Sequence, residues 1–138
     1  MATVLYTPEV LALATSLAAY PWDERLPLKG GARSKSCGST ITLGLATDSG
    51  GRIDRIGIKS SACAIGQSAA AIFAAAALGR DAADIAKAER DIAAWLAGDA
   101  PLPDWPGFEA IAPARNYPGR HGAILLAWQA ARELLPSA

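Results

Sequence analysis

At 138 residues and 14.2 kDa, with 51% hydrophobic and 19% charged residues, the chain has the apolar content of one packed domain spanning residues 1–138. That composition excludes a disordered tail or two large domains. Thirteen Lys and Arg balance thirteen Asp and Glu, so no global positive field gathers nucleic acid or an anionic membrane. Two cysteines cannot build a dense disulfide framework, and the first residues lack the basic-then-apolar order of a secretion signal, which makes the cytoplasm the expected location.

Thr7-Pro8 can cap and start a helix that runs to about Ala19, with Val10, Leu11, Ala14, Leu17 and Ala18 on one face and Pro21 beyond its end. From Trp22 to Lys35 the chain is rich in charge and carries Gly30-Gly31. It suits a mobile loop better than a regular element, although an extra strand before Lys35 is compatible with it. Ile41, Leu43 and Leu45 alternate with Thr40, Thr42 and Gly44, the period of a half-covered strand, and Ile56 and Ile58 mark a second one. Asp48-Ser49-Gly50-Gly51 permits a tight turn between them, so an antiparallel hairpin is expected. Pairing Thr47 with Arg52 sets Leu43 against Ile56, Ile41 against Ile58, Ser39 against Ser60 and Cys37 against Ala62.

Ala64 to Leu78 reads as a buried helix, because its wholly apolar part, Ala69 to Leu78, is far short of the roughly 20 residues that cross a bilayer. Asp81 to Ala97 reads as another, with Ile85, Ala88, Ile92 and Trp95 at helical spacing and Gly98 closing it. Pro101, Pro103 and Pro106 break the chain, leaving at most a short helix over Phe108 to Ala112. A last helix is expected from about Arg120 to Leu135, its apolar face carrying Ile124, Ala127, Trp128 and Ala131. The predicted class is α+β, a small antiparallel sheet packed against several helices.

The hairpin joins the chemically notable residues. Cys37 precedes its first strand, and Cys63 follows its second at the start of a helix, where the positive end of the helix favours a negatively charged sulfur. Thiolates are soft ligands for zinc, copper or iron–sulfur species, and a closed tetrahedral site wants four donors. His121 can add an imidazole if the last helix starts over the hairpin. The residues alone leave three readings open: structural cysteines, a reversibly oxidised Cys37–Cys63 pair, and a metal-related pocket. Arg120 reads as a solvated charge or a neighbour of a cofactor, and the four tryptophans chiefly as core anchors.

Other chemistries lack their parts. No serine stands in a nucleophile elbow with a histidine, and neither glycine pair belongs to a phosphate-binding or dinucleotide-binding loop. Arg33 and Lys35 make no repeated basic stripe, so no nucleic-acid partner is expected.

Ser36-Cys37-Gly38-Ser39, the Asp48-to-Gly51 turn, Cys63-Ala64-Ile65-Gly66-Gln67-Ser68-Ala69 and Arg120-His121-Gly122-Ala123-Ile124-Leu125-Leu126-Ala127-Trp128 together resemble the NifU-like and SufU-like scaffold family of iron–sulfur cluster assembly. The resemblance spans nearly the whole chain. It implies a non-enzymatic scaffold whose cysteines, with an acidic residue and sometimes a histidine, surround a nascent cluster or zinc. Cys37 and Cys63 match the first two cysteine positions. Ser39 stands where that family has aspartate, Ala123 where it has a third cysteine, and Gly122 where it can carry histidine. The implied function is transient binding or transfer of iron or a nascent iron–sulfur cluster through an incomplete shell of Cys37, Cys63 and His121, with zinc as another occupant. The implied partners are a cysteine desulfurase and cluster-accepting proteins. The competing expectations are an interaction or regulatory protein that has kept the fold without cluster binding, and a Cys37–Cys63 redox switch.

Overall fold

The structure, a computed structural model, describes residues 5–35 and 38–136; Cys37 lies outside the described residues. Thr7 accepts a hydrogen bond from the Val10 N–H at 3.1 Å and Pro8 fills the first helical position, so α1 runs Pro8–Ser16, and a 3-10 turn carries the chain to Ala19.

The stretch expected as a loop contains a strand. β1, Leu28–Arg33, pairs antiparallel with β2, Thr40–Thr47, which pairs in turn with β3, Ile53–Ser61, giving the order β1-β2-β3 with β2 central. Gly30 and Gly31 concealed β1, because they carry none of the alternating side chains by which a strand is recognised. Packing requires that smallness at Gly31, where a methyl would lie 2.9 Å from the Ile41 carbonyl, and at Gly30 it leaves space for the Leu134 side chain of the terminal helix.

The hairpin forms, in a register two residues away from the expected one. Leu43 lies across from Ile58, Leu45 from Ile56 and Ile41 from Ser60, while Thr47 faces Ile53 through an irregularity at Ala46/Thr47. The Asp48 carboxylate accepts from the N–H groups of Gly50 (2.9 Å) and Arg52 (3.0 Å), so Arg52 belongs to the loop and Thr47 faces Ile53, one residue of the offset; the irregularity at Ala46/Thr47 supplies the other. A shift of two preserves the faces. Ile41, Leu43, Leu45 and Ile58 therefore still face the core, and the irregularity at Ala46/Thr47 brings Ile53 to the same side. The expected Cys37–Ala62 pairing involves a residue outside those described.

After the sheet come α2 (Ala64–Ala77), α3 (Ala82–Leu96) and α4 (His121–Leu134). The alanines of α2 let α1 and α4 approach closely, and the buried Ser68 hydroxyl donates to the Val10 carbonyl of α1 at 2.7 Å. Asp81 caps α3 in a reciprocal pair with Asp84, and Gly98 ends it at φ 87°. The expected short helix at Phe108–Ala112 is longer, a 3-10 run over Phe108–Asn116, because that geometry tolerates Pro113. α4 buries Ala123, Ile124, Leu126, Ala127, Trp128, Ala130 and Ala131 against the sheet and the other helices. At its centre Trp128 meets Phe73 and Trp105 edge to face, each with ring centroids 5.4 Å apart, and Phe108 at 5.5 Å. The antiparallel three-stranded sheet against several helices is the predicted α+β class. No helix among the described residues is long and apolar enough to cross a membrane.

On its other face the sheet is covered by residues 20–26. Leu26 lies over Gly44 and Gly57, and a methyl at Gly57 would stand 2.9 Å from the Pro21 carbonyl and 3.3 Å from the Asp23 nitrogen. Those neighbours are backbone and cannot rotate away. Gly57→Ala is therefore expected to cost about 1–3 kcal/mol, measurable by urea unfolding.

Asp23 fastens the same segment, accepting from Arg25 at 3.1 Å and from Arg55 of β3 at 3.0 Å. The Arg25 side-chain hydrogen bond, then the Arg25 N–H, holds its carboxyl below the ordinary aspartate range. A depressed folded-state pKa contributes stability that is complete above the unfolded value of about 3.9 and disappears as pH falls through the folded value. Asp23→Asn should thus flatten the acid limb of the stability–pH curve and leave its shape near neutrality unchanged, as read by denaturant melts across pH.

Candidate functional site

β3 ends at Ser61, Ala62 turns the chain, and Cys63 becomes the N-cap of α2 in extended conformation, with φ −66° and ψ 168°. Its carbonyl accepts the Gln67 N–H at 2.9 Å, but its side chain makes no capping hydrogen bond, so the half-buried free thiol is not consumed by the helix start. The observed register brings Gly38 and Ser39 beside Ala62 and Cys63. These four residues, with Ser61 and Arg120, line an open hollow of about 350 Å³. Gly38 has φ 71°, a left-handed conformation that glycine adopts freely at this bend.

Among the described residues, the lining holds one cation, Arg120, and no acidic side chain. The N-terminus of α2 adds its partial positive charge. Both features suit a negatively charged sulfur species. Arg120, read from sequence chiefly as a solvated charge, reaches the hollow because the 3-10 turn Pro118–Arg120 delivers α4 to this end of the sheet.

The other expected ligand positions lie close by in different roles. Ser39 is almost fully buried, with its carbonyl bonded to the Ser34 N–H at 2.8 Å. Ala123 is buried in the first turn of α4 against α2. A methyl added at Gly66 would meet Ala62 Cβ at 3.0 Å and Ala123 Cβ at 3.3 Å, so the absent side chain at Gly66 is what lets the two helix starts close together. That contact was not legible in the sequence, since Gly66 reads there only as a cost to the helix. His121 is the residue after Arg120, does not itself line the hollow, and places Nε2 2.7 Å from the Arg115 carbonyl. Among the described residues, no three His, Cys, Asp or Glu side chains gather as a metal-holding group.

No protein-family model matches the chain, and no curated protein matches it. Solved structures do. A NifU-like protein (N-terminal part) from Brucella abortus superposes with a TM-score of 0.85 at 24% identity, over 94% of this chain and 91% of that one. A protein assigned as an iron–sulfur cluster assembly scaffold for the SUF system, from the thermophilic Fervidobacterium islandicum AW-1, gives 0.82 at 18% identity, over 94% and 96%. A hypothetical protein gives 0.65 at 18% identity, over 91% and 95%. At these identities the likeness is one of architecture. The α+β fold of this chain is that of the NifU-like and SufU-like scaffold proteins, with Cys63 at the mouth of an open hollow where its sheet meets two helix starts.

Proposed function

We propose that the chain acts in iron–sulfur cluster assembly, binding iron or a nascent cluster transiently as cargo through Cys37 and Cys63 and passing it to a protein acceptor. The observation that carries this reading is the half-buried Cys63 thiol, outside the helix cap, at an open hollow bordered by Arg120 and the α2 N-terminus, within a scaffold-type fold. An open hollow suits exchange better than storage. With donors fewer than a closed shell needs, a thiol, solvent or partner group completes the coordination and leaves as the cargo is transferred.

His121 stands outside the lining of the hollow, one residue from Arg120, and in this reading it serves as a third donor only when its ring turns toward the cargo. A carbonyl only accepts, so the hydrogen bond to Arg115 places the proton on Nε2 and leaves the lone pair of the neutral ring on Nδ1. Metal-binding histidines are commonly oriented in this way by a backbone carbonyl. Zinc, which shares the preference for thiolate and imidazole, is a competing occupant. Sulfur would come from a cysteine desulfurase.

The test is anaerobic reconstitution with ferrous iron and sulfide, followed by iron and acid-labile sulfide analysis and Mössbauer spectroscopy. The wild-type chain should hold a defined iron–sulfur species that both Cys37→Ala and Cys63→Ala abolish. Absence of such a species, or its survival in both variants, rejects the reading. A second reading is favoured by serine at position 39 and a buried alanine at position 123, where the family resemblance leads one to expect donors: an interaction protein that binds assembly factors without cargo. It requires partner binding to be unaffected by Cys37→Ala and Cys63→Ala.

A further inference from the structure

The two edges of the sheet are finished differently. β3 is partly covered: the Ile58 N–H donates to the Tyr20 carbonyl at 3.0 Å, while Ile53 donates to the Arg80 carbonyl at 2.9 Å and accepts from the Gly79 N–H at 2.8 Å. Among the described residues β1 has no such cover. Its register with β2 continues to Ser34, whose N–H reaches the Ser39 carbonyl at 2.8 Å. Bonded and non-bonded pairs alternate along an antiparallel ladder, so Leu28, Gly30 and Ala32 share the inward orientation of Ser34, and Lys29, Gly31 and Arg33 turn their backbone N–H and C=O groups outward. Among the described residues, nothing bonds to those outward groups.

The side chains on this edge have one sign. Lys29, Gly31 and Arg33 are exposed, and Lys29 is held by the Glu24 carbonyl at 2.9 Å and its carboxylate at 3.6 Å. Arg33 and Lys35 have no carboxylate partner among the described residues. With Ser34, Gly122 and Gln129 they line an open cleft of about 440 Å³ that has no acidic side chain in its lining. A second copy of this chain is a poor occupant. A two-fold pairing centred on Gly31 would set Lys29 of each copy directly across from Arg33 of the other, and like charges in that position repel.

We propose that the β1 edge docks an extended acidic segment of a partner protein, which adds antiparallel to the sheet as a fourth strand. Its acidic side chains lie across from Lys29 and Arg33, with Gly31 leaving the position between them unobstructed. Its alternate, apolar side chains fall beside Leu28, Gly30 and Ala32 on the core side. The docked strand begins beside Arg33 and Ser34, and Ser34 is bonded to Ser39 of the Cys63 hollow. The site stands whether or not Cys63 holds cargo.

The full chain is titrated, by fluorescence anisotropy, with a short labelled peptide alternating glutamate with valine. The controls are the same peptide with lysine for glutamate and a copy N-methylated at each glutamate. Amide exchange locates the site. The acidic peptide should bind and slow exchange at Lys29, Gly31 and Arg33. The lysine peptide, the N-methylated copy and the Arg33→Glu variant should each weaken binding by about fivefold or more, since reversing a cross-strand charge pair and removing ladder bonds each remove on the order of 1 kcal/mol. Failure of the acidic peptide to bind, equal binding of the N-methylated copy, or protection on β3 instead of β1 would overturn the proposal.

Discussion

Trp128→Ala is expected to lower the unfolding free energy by about 3–5 kcal/mol, a large share of the roughly 5–15 kcal/mol available to a domain of this kind. Trp128 is fully buried in α4 and joins Phe73 of α2, Trp105 of the connection after α3 and Phe108 of the 3-10 run. Removing it opens a cavity bounded by three rings that are themselves held by other contacts, so collapse can fill little of the space. A subtler comparison checks the same account. The Trp128 indole N–H has no hydrogen-bond partner among the described residues, whereas that of Trp105 donates to the Ile72 carbonyl at 2.9 Å. Trp128→Phe removes a buried donor that is already unpaired, while Trp105→Phe also strips a partner from a carbonyl. Chemical denaturation should find Trp128→Ala the most destabilising of the three and Trp105→Phe more costly, per atom removed, than Trp128→Phe.

Restoring the two missing donors is expected to turn transient binding into retention. In the double variant Ser39→Asp/Ala123→Cys, a carboxylate is placed on the strand start beside the hollow and a thiol on the first turn of α4. Position 123 packs close against Gly66, where an added Cβ would lie 3.3 Å from the Ala123 Cβ, so the new thiol has to reach past Gly66 toward the hollow. Two added anionic donors should strengthen cargo retention by more than about tenfold, since each tenfold requires only about 1.4 kcal/mol. The measurement is the half-life of the reconstituted iron–sulfur absorbance in the presence of a chelator. An unchanged half-life in a folded double variant would mean that positions 39 and 123 do not face the cargo.

The helices were legible wherever local chemistry decides them: Pro8 after Thr7, the Asp81 cap, Gly98 at the end of α3. So was the core face of β2, because Ile41, Leu43 and Leu45 alternate without interruption. β1 was hidden because its defining property is the absence of side chains at Gly30, beside Leu134 of α4, and at Gly31, beside the Ile41 carbonyl of β2, neighbours that are invisible along the chain. The hairpin register turned on how Asp48 bonds two N–H groups in its own loop and on the irregularity at Ala46/Thr47, choices that composition leaves open. Of the site, Cys63 was placed correctly at a helix start after a strand, since both elements are local. The arrival of Arg120 at the hollow and the tie of His121 to Arg115 depend on how α4 docks, and no periodicity encodes that docking.

Iron K-edge X-ray absorption on the anaerobically loaded wild-type chain, set beside Cys37→Ala and Cys63→Ala, bears most directly on cargo handling by the two thiols. The account predicts sulfur scattering in the first coordination shell of the wild type that is lost in each single variant, where the iron–sulfur species does not form. A shell of oxygen and nitrogen alone in the wild type, or sulfur scattering identical in all three proteins, would contradict it.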